Sequence, residues 1–299
     1  MSTAEELLSS GLVSRDVPLG PLTTYKAGGP ARLFAAIETD SDLDELIDSG
    51  LPAENEVLVL GRGSNLVVAD EGFDGLVVRL GGEFLRVDVD EEVVTAGGAA
   101  PLPRVARSSV DHGLAGLEFF VGVPGSVGGA VRQNAGCFGS ETRDWLITAE
   151  VIDLETGVRR AATATGLELS YRHSNLGPRE LVTSASFRCR RGDPEEGRRL
   201  MREVTRWRKE HQPGGTLNAG SVFKNPPHIA AGELIDQLGL KGTRVGDVSV
   251  SERHANFFVA GPKATAEDIY RLVGEIKDTV LERTGTKLEP EIQFVGFDQ

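Results

Sequence analysis

The chain has 299 residues, of which 26% are charged and 39% are hydrophobic, and its formal net charge is −13. This acidic balance disfavours a nucleic-acid partner, although a locally basic site could still bind an anion. No apolar run reaches the roughly 18 residues of a membrane-spanning helix, so we expect a protein that neither crosses nor binds a membrane.

The N-terminal residues and the cysteines favour the cytoplasm. Residues 1–11 are acidic and lack the basic start and the apolar core of a signal peptide. Cys137 and Cys189 are the only cysteines, which is typical of reduced thiols and not of a disulfide framework. The five histidines show no metal-ligand spacing, so we expect no metal site.

A first α/β unit is predicted over residues 1–72. Arg32–Ile37 and Val57–Leu60 read as short strands, and a helix is expected after Thr39 and Asp40. Another apolar run, Leu66–Ala69, predicts a strand directly after a polar loop.

That polar loop is a candidate phosphate-binding segment. It consists of Gly61, Arg62, Gly63, Ser64 and Asn65, which combine flexible backbone with side chains that hydrogen-bond phosphate oxygens or stabilise a turn. The spacing is not that of a Rossmann fingerprint, because a strand and not a helix is expected next. It is not a P-loop either, because no Gly-Lys-Ser/Thr follows.

A second unit, residues 73–195, is predicted to be mainly β. One helix interrupts it, Leu102–Asp111, ending at Gly113. The predicted strands are Leu76–Leu80, Val87–Val89, Val93–Ala96, Ala130–Gln133, Ala149–Leu154 and Val182–Arg188.

Glycine is concentrated in this unit. Gly113–Gly139 holds eight glycines in 27 residues, where average usage of ~7% gives about two. Amides along Gly122–Gly129 could form an anion-binding nest for a diphosphate. The alternative from this segment alone is a turn-rich β region without a ligand.

The third unit covers residues 196–299. A charged helix over residues 192–211 leads into it, and we interpret its charges as a solvated face, with anion binding as the alternative. Thr265 with Asp268 predicts a capping box that opens a helix ending at Gly285. Leu288–Phe294 alternates with period two and predicts a strand, which Pro290 restricts to a sheet edge or a bulge.

Three side chains are candidates for chemistry. Ser221 lacks the context of a hydrolase nucleophile, and it is either a turn hydroxyl or a proton donor to a basic carbon. Arg172, after a short helical pattern beginning near Thr165, is either a surface cation or a carboxylate clamp. Glu291 is either solvated or catalytic, and spacing cannot separate it from Glu289.

Ordered motifs along the chain resemble the UDP-N-acetylenolpyruvoylglucosamine reductase family, flavoenzymes of bacterial peptidoglycan precursor synthesis. The resemblance spans roughly residues 19–297. Two departures, Tyr25-Lys26 after the Thr-Thr pair and an insert between Pro213 and Asn218, affect local loop shape. The matching segments are Thr23–Ala31, Gly61–Leu66, Gly116–Ala130, Asn134–Gly136, Tyr171–Ser174, Asn218–Pro226, Gly239–Gly242, His254–Phe257 and Leu288–Ile292.

The resemblance implies an α+β fold. Two subdomains, residues 1–72 and 73–195, would form an FAD-binding region over about residues 27–192, of the vanillyl-alcohol oxidase and p-cresol methylhydroxylase type. Residues 196–299 would form an α+β substrate-binding domain, whose last strand can return to the first subdomain. A monomer is favoured.

The resemblance also implies a chemistry. NADPH would reduce non-covalently bound FAD, which would then reduce the enolpyruvyl group of a UDP-sugar. Arg172 and Glu291 would stabilise the enolate, Ser221 would protonate it, and Tyr171, Lys224 and Asn225 would bind the substrate. A flavin-linked oxidase of the same superfamily and a non-catalytic nucleotide-binding relative are the alternatives. The residues assigned to the cofactor are Gly61, Arg62, Gly63, Ser64, Asn65, Gly122, Pro124, Gly125, Ser126, Gly128, Gly129, Asn134, Gly136 and Val182.

Overall fold

The computed structural model describes residues 4–297. Contacts between residues divide the chain into two units. The first comprises residues 4–15, 33–62 and 75–207, and the second comprises residues 16–32, 63–74 and 208–297. The boundaries predicted at 72/73 and 195/196 remain predictions.

The helices and strands alternate irregularly along the chain, as expected for a mixed α+β fold. The α-helices among residues 4–297 are α1 Ala4–Ser10, α2 Asp40–Asp48, α3 Leu51–Glu54, α4 Leu102–Asp111, α5 Val127–Arg132, α6 Pro194–His211, α7 Ala231–Gln237 and α8 Ala266–Thr284. Short 3₁₀ helices span Gly20–Leu22, Gly82–Leu85, Glu118–Gly122 and Thr142–Asp144. The strands are β1 Val13–Pro18, β2 Pro30–Ile37, β3 Val57–Val59, β4 Leu66–Val68, β5 Phe73–Leu80, β6 Val87–Asp90, β7 Val93–Gly97, β8 Leu114–Ala115, β9 Gly136–Cys137, β10 Ser140–Glu141, β11 Leu146–Asp153, β12 Arg159–Ala162, β13 Glu180–Arg188, β14 Arg190–Arg191, β15 Arg244–Val245, β16 Val248–Val250, β17 Phe258–Ala260 and β18 Gln293–Val295.

The first unit is built on two larger sheets. One has the strand order β1-β2-β5-β3, with β3 and β5 parallel. The other has the order β12-β11-β13-β7-β6 and is antiparallel throughout. Each sheet covers its own apolar core, one around Leu43 and Leu76 and the other around Phe120 and Phe187. The predicted α/β sheet and mainly antiparallel sheet are therefore both present.

The second unit has a single core, formed by the buried face of α8 and residues such as Val222 and Phe258. Its antiparallel sheet has the order β15-β16-β17, and β18 pairs in parallel with β4 in the register Gln293 to Leu66. The last strand thus lies beside a strand from near residue 67.

Capping boxes define the starts of two of the predicted helices. The Thr39 hydroxyl accepts the Asp42 amide at 3.1 Å, and the Asp42 carboxylate accepts the Thr39 amide in return. Thr265 and Asp268 form the same reciprocal box at the start of α8, which ends at Gly285 with φ 72°.

Three local predictions are wrong. Ala130–Gln133 is not a strand, because Ser126 caps helix α5 and a short apolar run cannot by its period separate helix from strand. Only Gln293–Val295 of the predicted edge strand is regular, since Pro290 has no amide to donate and forms an isolated bridge with Phe223. The segment after Thr165 makes successive turns and no helix.

Within residues 4–297, no helix is both long enough and apolar enough to cross a bilayer. Over the same range, no group of three or more His, Cys, Asp or Glu side chains could hold a metal ion. Cys137 and Cys189 are not joined in a disulfide, and burial raises the pKa of Cys189 to about 11.

Candidate active site

The glycine-rich segment is a tightly packed turn into helix α5. The amide of Val127 donates to Ala100 O at 3.0 Å, and that of Gly128 donates to Gly98 O at 2.8 Å. The predicted anion nest is therefore wrong for these two amides, because each of them already donates to a backbone carbonyl of the protein. Gly98, which accepts the Gly128 amide, must itself be glycine, since a Cβ there would lie 2.0 Å from Val182 O.

The first unit contains a cleft of about 490 Å³. A cleft of this size lies in the usual range for small-molecule and cofactor sites. Among the residues assigned to the cofactor, those that line the cleft are Gly61, Arg62, Ser126, Gly128, Gly129 and Val182. Gly122, Pro124, Gly125, Asn134 and Gly136 are not among the lining residues of this cleft.

Four charged residues that line the cleft were not predicted from the sequence. Glu38, Arg79, Arg132 and Glu180 line it together with apolar residues of β2 and β5. These side chains are scattered over more than 140 positions of the chain and belong to no common motif, so no local signal could have assembled them.

Arg132 is the most firmly held cation of these walls. Its guanidinium donates to Leu176 O at 3.3 Å, Gly177 O at 2.9 Å and Glu180 O at 2.7 Å. Burial lowers the pKa of Arg132, and the negative charge of Glu180 partly offsets this effect. Arg62 and Arg79, by contrast, are exposed. The cleft therefore combines fixed and solvated positive charge.

Arg172 lies in a tight loop of the same unit. Ser170 and His173 exchange backbone hydrogen bonds of 3.2 and 3.1 Å across it. The Arg172 Nη2 donates to Gly136 O at 3.1 Å, and the guanidinium carbon lies 5.2 Å from the centre of the Tyr171 ring. Half of the Tyr171 side chain is exposed. The loop therefore presents an arginine and an accessible aromatic ring side by side.

Asn134 ties this loop to the glycine-rich segment. Its side chain is fully buried; Nδ2 donates to Ser170 O at 3.0 Å and Oδ1 accepts the Arg143 amide at 2.9 Å. Asn134 and Arg172 both have left-handed backbone, with φ of 39° and 53°. Asparagine adopts this conformation readily, whereas it is uncommon for an arginine. Cofactor binding by Asn134 remains a prediction.

The second unit carries Ser221 and Glu291 on segments that pair with each other. Glu291 donates its amide to Val222 O at 2.7 Å, next to Ser221. The carbonyl of Glu291 accepts from Asn65 Nδ2 at 2.9 Å, and the carbonyl of Asn65 accepts the Gln293 amide at 3.0 Å. A residue assigned to the cofactor thus holds the backbone of the candidate catalytic glutamate.

The neighbouring residues that are predicted to bind the substrate also have partners within the protein. Lys224 Nζ pairs with Glu289 Oε1 at 2.5 Å, and Asn225 Oδ1 accepts the Ala231 amide at 3.0 Å, at the start of α7. Glu289 and Glu291 therefore differ in the structure: Glu289 is a mostly exposed ion-pair partner, and Glu291 is half-buried.

The loop after Arg62 is shaped by the Thr-Thr motif. Gly63 has φ 60°, and its carbonyl accepts the Thr24 amide at 3.0 Å. A Cβ on Gly63 would lie 2.3 Å from Leu22 O, so only glycine fits. Tyr25 is buried, and its hydroxyl has no hydrogen-bond partner in the described part of the chain. Burial accordingly raises the Tyr25 pKa, and a weak contact of the hydroxyl with the Ala219 backbone, outside normal hydrogen-bond geometry, partly opposes this rise.

Comparison with known proteins first defines the class. Residues 31–162 match the model of the FAD binding domain, and this range contains much of the cleft and the glycine-rich segment. The chain is therefore a protein with an FAD-binding domain. Residues 212–295 match the C-terminal domain of UDP-N-acetylenolpyruvoylglucosamine reductase, which covers Ser221 and Glu291.

Full-length relatives define the family. A UDP-N-acetylenolpyruvoylglucosamine reductase from Rhodopseudomonas palustris (strain BisB5) is 43% identical over 93% of this chain and 90% of its own length. One from Agathobacter rectalis is 40% identical over 99% and 97%. The crystal structure of the Thermus caldophilus reductase is 38% identical, has a TM-score of 0.82 and covers 95% of this chain and 98% of its own. The chain belongs to the UDP-N-acetylenolpyruvoylglucosamine reductase family, an oxidoreductase family, and the predicted resemblance and fold class are confirmed.

The residues of the cleft fit FAD. Gly61, Gly128 and Gly129 line the cleft, and because they carry no side chains a bound group can approach their backbone closely. Arg62 and Arg79 supply positive charge of the kind that a diphosphate requires.

Proposed function

We propose that this chain catalyses the NADPH-dependent reduction of UDP-N-acetyl-3-O-(1-carboxyvinyl)-glucosamine to UDP-N-acetylmuramate, in the cytoplasm, for peptidoglycan precursor synthesis. Cell-wall formation, and through it cell shape and division, would depend on this step. The observation that carries the proposal is the near-complete coverage of named reductases at about 40% identity, with both domain models in chain order.

The cofactor is FAD, bound without a covalent link. When bound, it would supply the redox chemistry that connects NADPH to the enolpyruvyl group. The walls around Gly61, Ser126 and Gly129 would hold it, with Arg62 and Arg79 near its phosphates. The resemblance to the family also assigns Ser64 and Asn65 to the cofactor.

Arg172 would bind the substrate carboxylate. Its guanidinium donates to Gly136 O and lies 5.2 Å from the centre of the Tyr171 ring, and the planar fork of an arginine is suited to grip a carboxylate with two N–H groups. Negative charge that develops in the enolate spreads into that carboxylate, so the same contact stabilises the intermediate more than the substrate.

Ser221 would donate a proton to C2, and Glu291 would stabilise the enolate directly or through water. The preceding Gly220 has φ 78°, which turns the chain before Ser221. A serine hydroxyl is a weak acid, but a carbanion beside an ether oxygen is a strong base, so no partner base is needed. Lys224 and Asn225 would bind the UDP-sugar, with the Lys224 ammonium at its diphosphate or its carboxylate.

The flavin-linked oxidase alternative is not favoured, because the full-length relatives are named reductases. We expect a Ser221→Ala variant to reduce its flavin with NADPH at a near-normal rate. Reoxidation by the enolpyruvyl substrate under anaerobic conditions should fall by about 10²–10⁴-fold, because the proton donor is lost. Stopped-flow flavin absorbance measures both steps, and Ser221→Cys should retain more reoxidation than Ser221→Ala. Wild-type-like reoxidation in the alanine variant would make Ser221 structural.

A further inference from the structure

The segment that carries Ser221 is not part of a regular sheet. It is held by isolated backbone bridges, Ser221 with Phe257 and Phe223 with Pro290. Between them lies Val222, whose amide donates to Asn256 O at 2.8 Å and whose carbonyl accepts the Glu291 amide at 2.7 Å. The amide and the carbonyl of Val222 therefore connect the segment of Asn256 to the segment of Glu291.

The side chain of Asn256 completes this arrangement. It is 3% exposed; Oδ1 accepts the Phe223 amide at 2.9 Å and Nδ2 donates to Phe223 O at 2.8 Å. An amide side chain offers an acceptor and a donor side by side, so it satisfies both backbone groups of a single residue. A sheet strand would normally do this, and here one buried side chain takes its place.

Asn256 is itself fixed by a turn. Phe257 donates its amide to His254 O at 2.9 Å, and Ser251 donates to Phe257 O at 2.8 Å. The His254 ring packs against the Phe257 ring with centroids 4.8 Å apart. The His254–Phe257 motif thus forms a turn that holds Asn256, and the buried amide of Asn256 bonds to the segment of Ser221.

We propose that Asn256 is a positioning residue that keeps Ser221 and Glu291 in fixed register through Val222 and Phe223. The proposal rests on the proposed function for its consequence in catalysis. Proton transfer depends on sub-ångström placement of the donor. Loss of the Asn256 clamp therefore slows protonation of the substrate and leaves reduction of the flavin by NADPH unaffected.

The test compares two variants of the flavin-loaded enzyme with a matched control. Asn256→Asp keeps the acceptor for the Phe223 amide but loses the donor, and Asn256→Ala loses both. Thr265→Ala removes the cap of α8 in the same unit and controls for general destabilisation. Anaerobic stopped flow measures both half-reactions, and hydrogen exchange with mass spectrometry measures protection of residues 219–224, 288–293 and 266–284.

We expect reoxidation by the enolpyruvyl substrate to slow by about 10- to 100-fold in Asn256→Ala, and by no less in Asn256→Asp, whose buried carboxylate faces the Phe223 carbonyl. Flavin reduction should stay within about twofold of wild type, by the same reasoning. Exchange should accelerate in residues 219–224 and 288–293 but not in 266–284, whereas Thr265→Ala should show the opposite pattern.

Unchanged exchange in residues 219–224 and 288–293 overturns the proposal, and so does an equal slowing of both half-reactions. If the wild type is reduced by NADPH but is not reoxidised by the enolpyruvyl substrate, the proposed function is wrong. The exchange data then decide by themselves whether Asn256 holds the two segments together.

Discussion

Replacing Gly129 with alanine should separate the stability of the fold from the binding of FAD. Gly129 is the third residue of α5 and lines the cleft. Alanine is favoured over glycine in a helix by about 0.5–1 kcal/mol. Over the described residues, a Cβ at this position would meet one atom within 4 Å, Ser126 Oγ at 3.6 Å, which is an ordinary contact. The flavin-free variant should therefore gain about 0.5 kcal/mol, because the position lies close to the helix start.

The added methyl group occupies the cleft wall, so FAD should bind more weakly. Overpacking of a fitted site costs about 1–3 kcal/mol, which corresponds to roughly 5- to 150-fold in Kd. Fluorescence titration of flavin into the stripped protein measures Kd, and urea unfolding of the same preparation measures stability. Gly274→Ala in α8 is the control, because its Cβ would meet nothing within 4 Å among the described residues. It should gain stability with unchanged Kd.

The neighbouring glycine sharpens the comparison. A Cβ on Gly128 would lie 3.2 Å from Gly98 O and 3.4 Å from Val182 O. These contacts are tight, so Gly128→Ala should not show the gain in unfolding free energy that is expected for Gly129→Ala. If Gly129→Ala binds FAD as tightly as wild type, FAD does not contact the wall of the cleft at Gly129, and the predicted site is wrong there.

Five further substitutions have defined outcomes. Lys224→Ala should raise the substrate KM with unchanged flavin content. Glu291→Gln should lower kcat by about 10²-fold, whereas Glu289→Gln should change kcat little, because Glu289 is an exposed ion-pair partner. Equal losses of kcat in the two glutamine variants, measured by steady-state kinetics, would contradict this assignment. Tyr25→Phe should leave the free energy of unfolding unchanged or raise it by up to about 1 kcal/mol, because it removes a buried unpaired hydroxyl; a clear loss in denaturant unfolding would reveal a hydrogen bond to that hydroxyl. Burial lowers the pKa of His254, so the stability due to its neutral form is complete above the unfolded-state pKa of about 6.5 and is lost as pH falls through the folded-state pKa. His254→Gln should therefore flatten the decline in unfolding free energy between about pH 7.5 and 5.5, and an unchanged decline would assign it to other groups.

The sequence by itself determined the elements whose signals are local. The capping boxes at Thr39 and Thr265, and the glycine that ends α8, specify helix limits through bonds between residues three or four apart. Ordered motifs likewise pointed to the family, because each motif is contiguous in the chain. Where the signal was short and apolar, as at Ala130–Gln133, the period was ambiguous and the prediction failed.

Only the tertiary structure decided which groups hold the candidate catalytic residues. Asn65 and Glu291 are 226 positions apart, and their hydrogen bond depends on the parallel pairing of β18 with β4. The clamp of Asn256 on Phe223 spans 33 positions and has no periodic signature. Arg132 likewise reaches carbonyls 44 to 48 positions away. Such contacts arise when chain segments with separate local preferences pack against one another, and local sequence carries no record of which segments will meet.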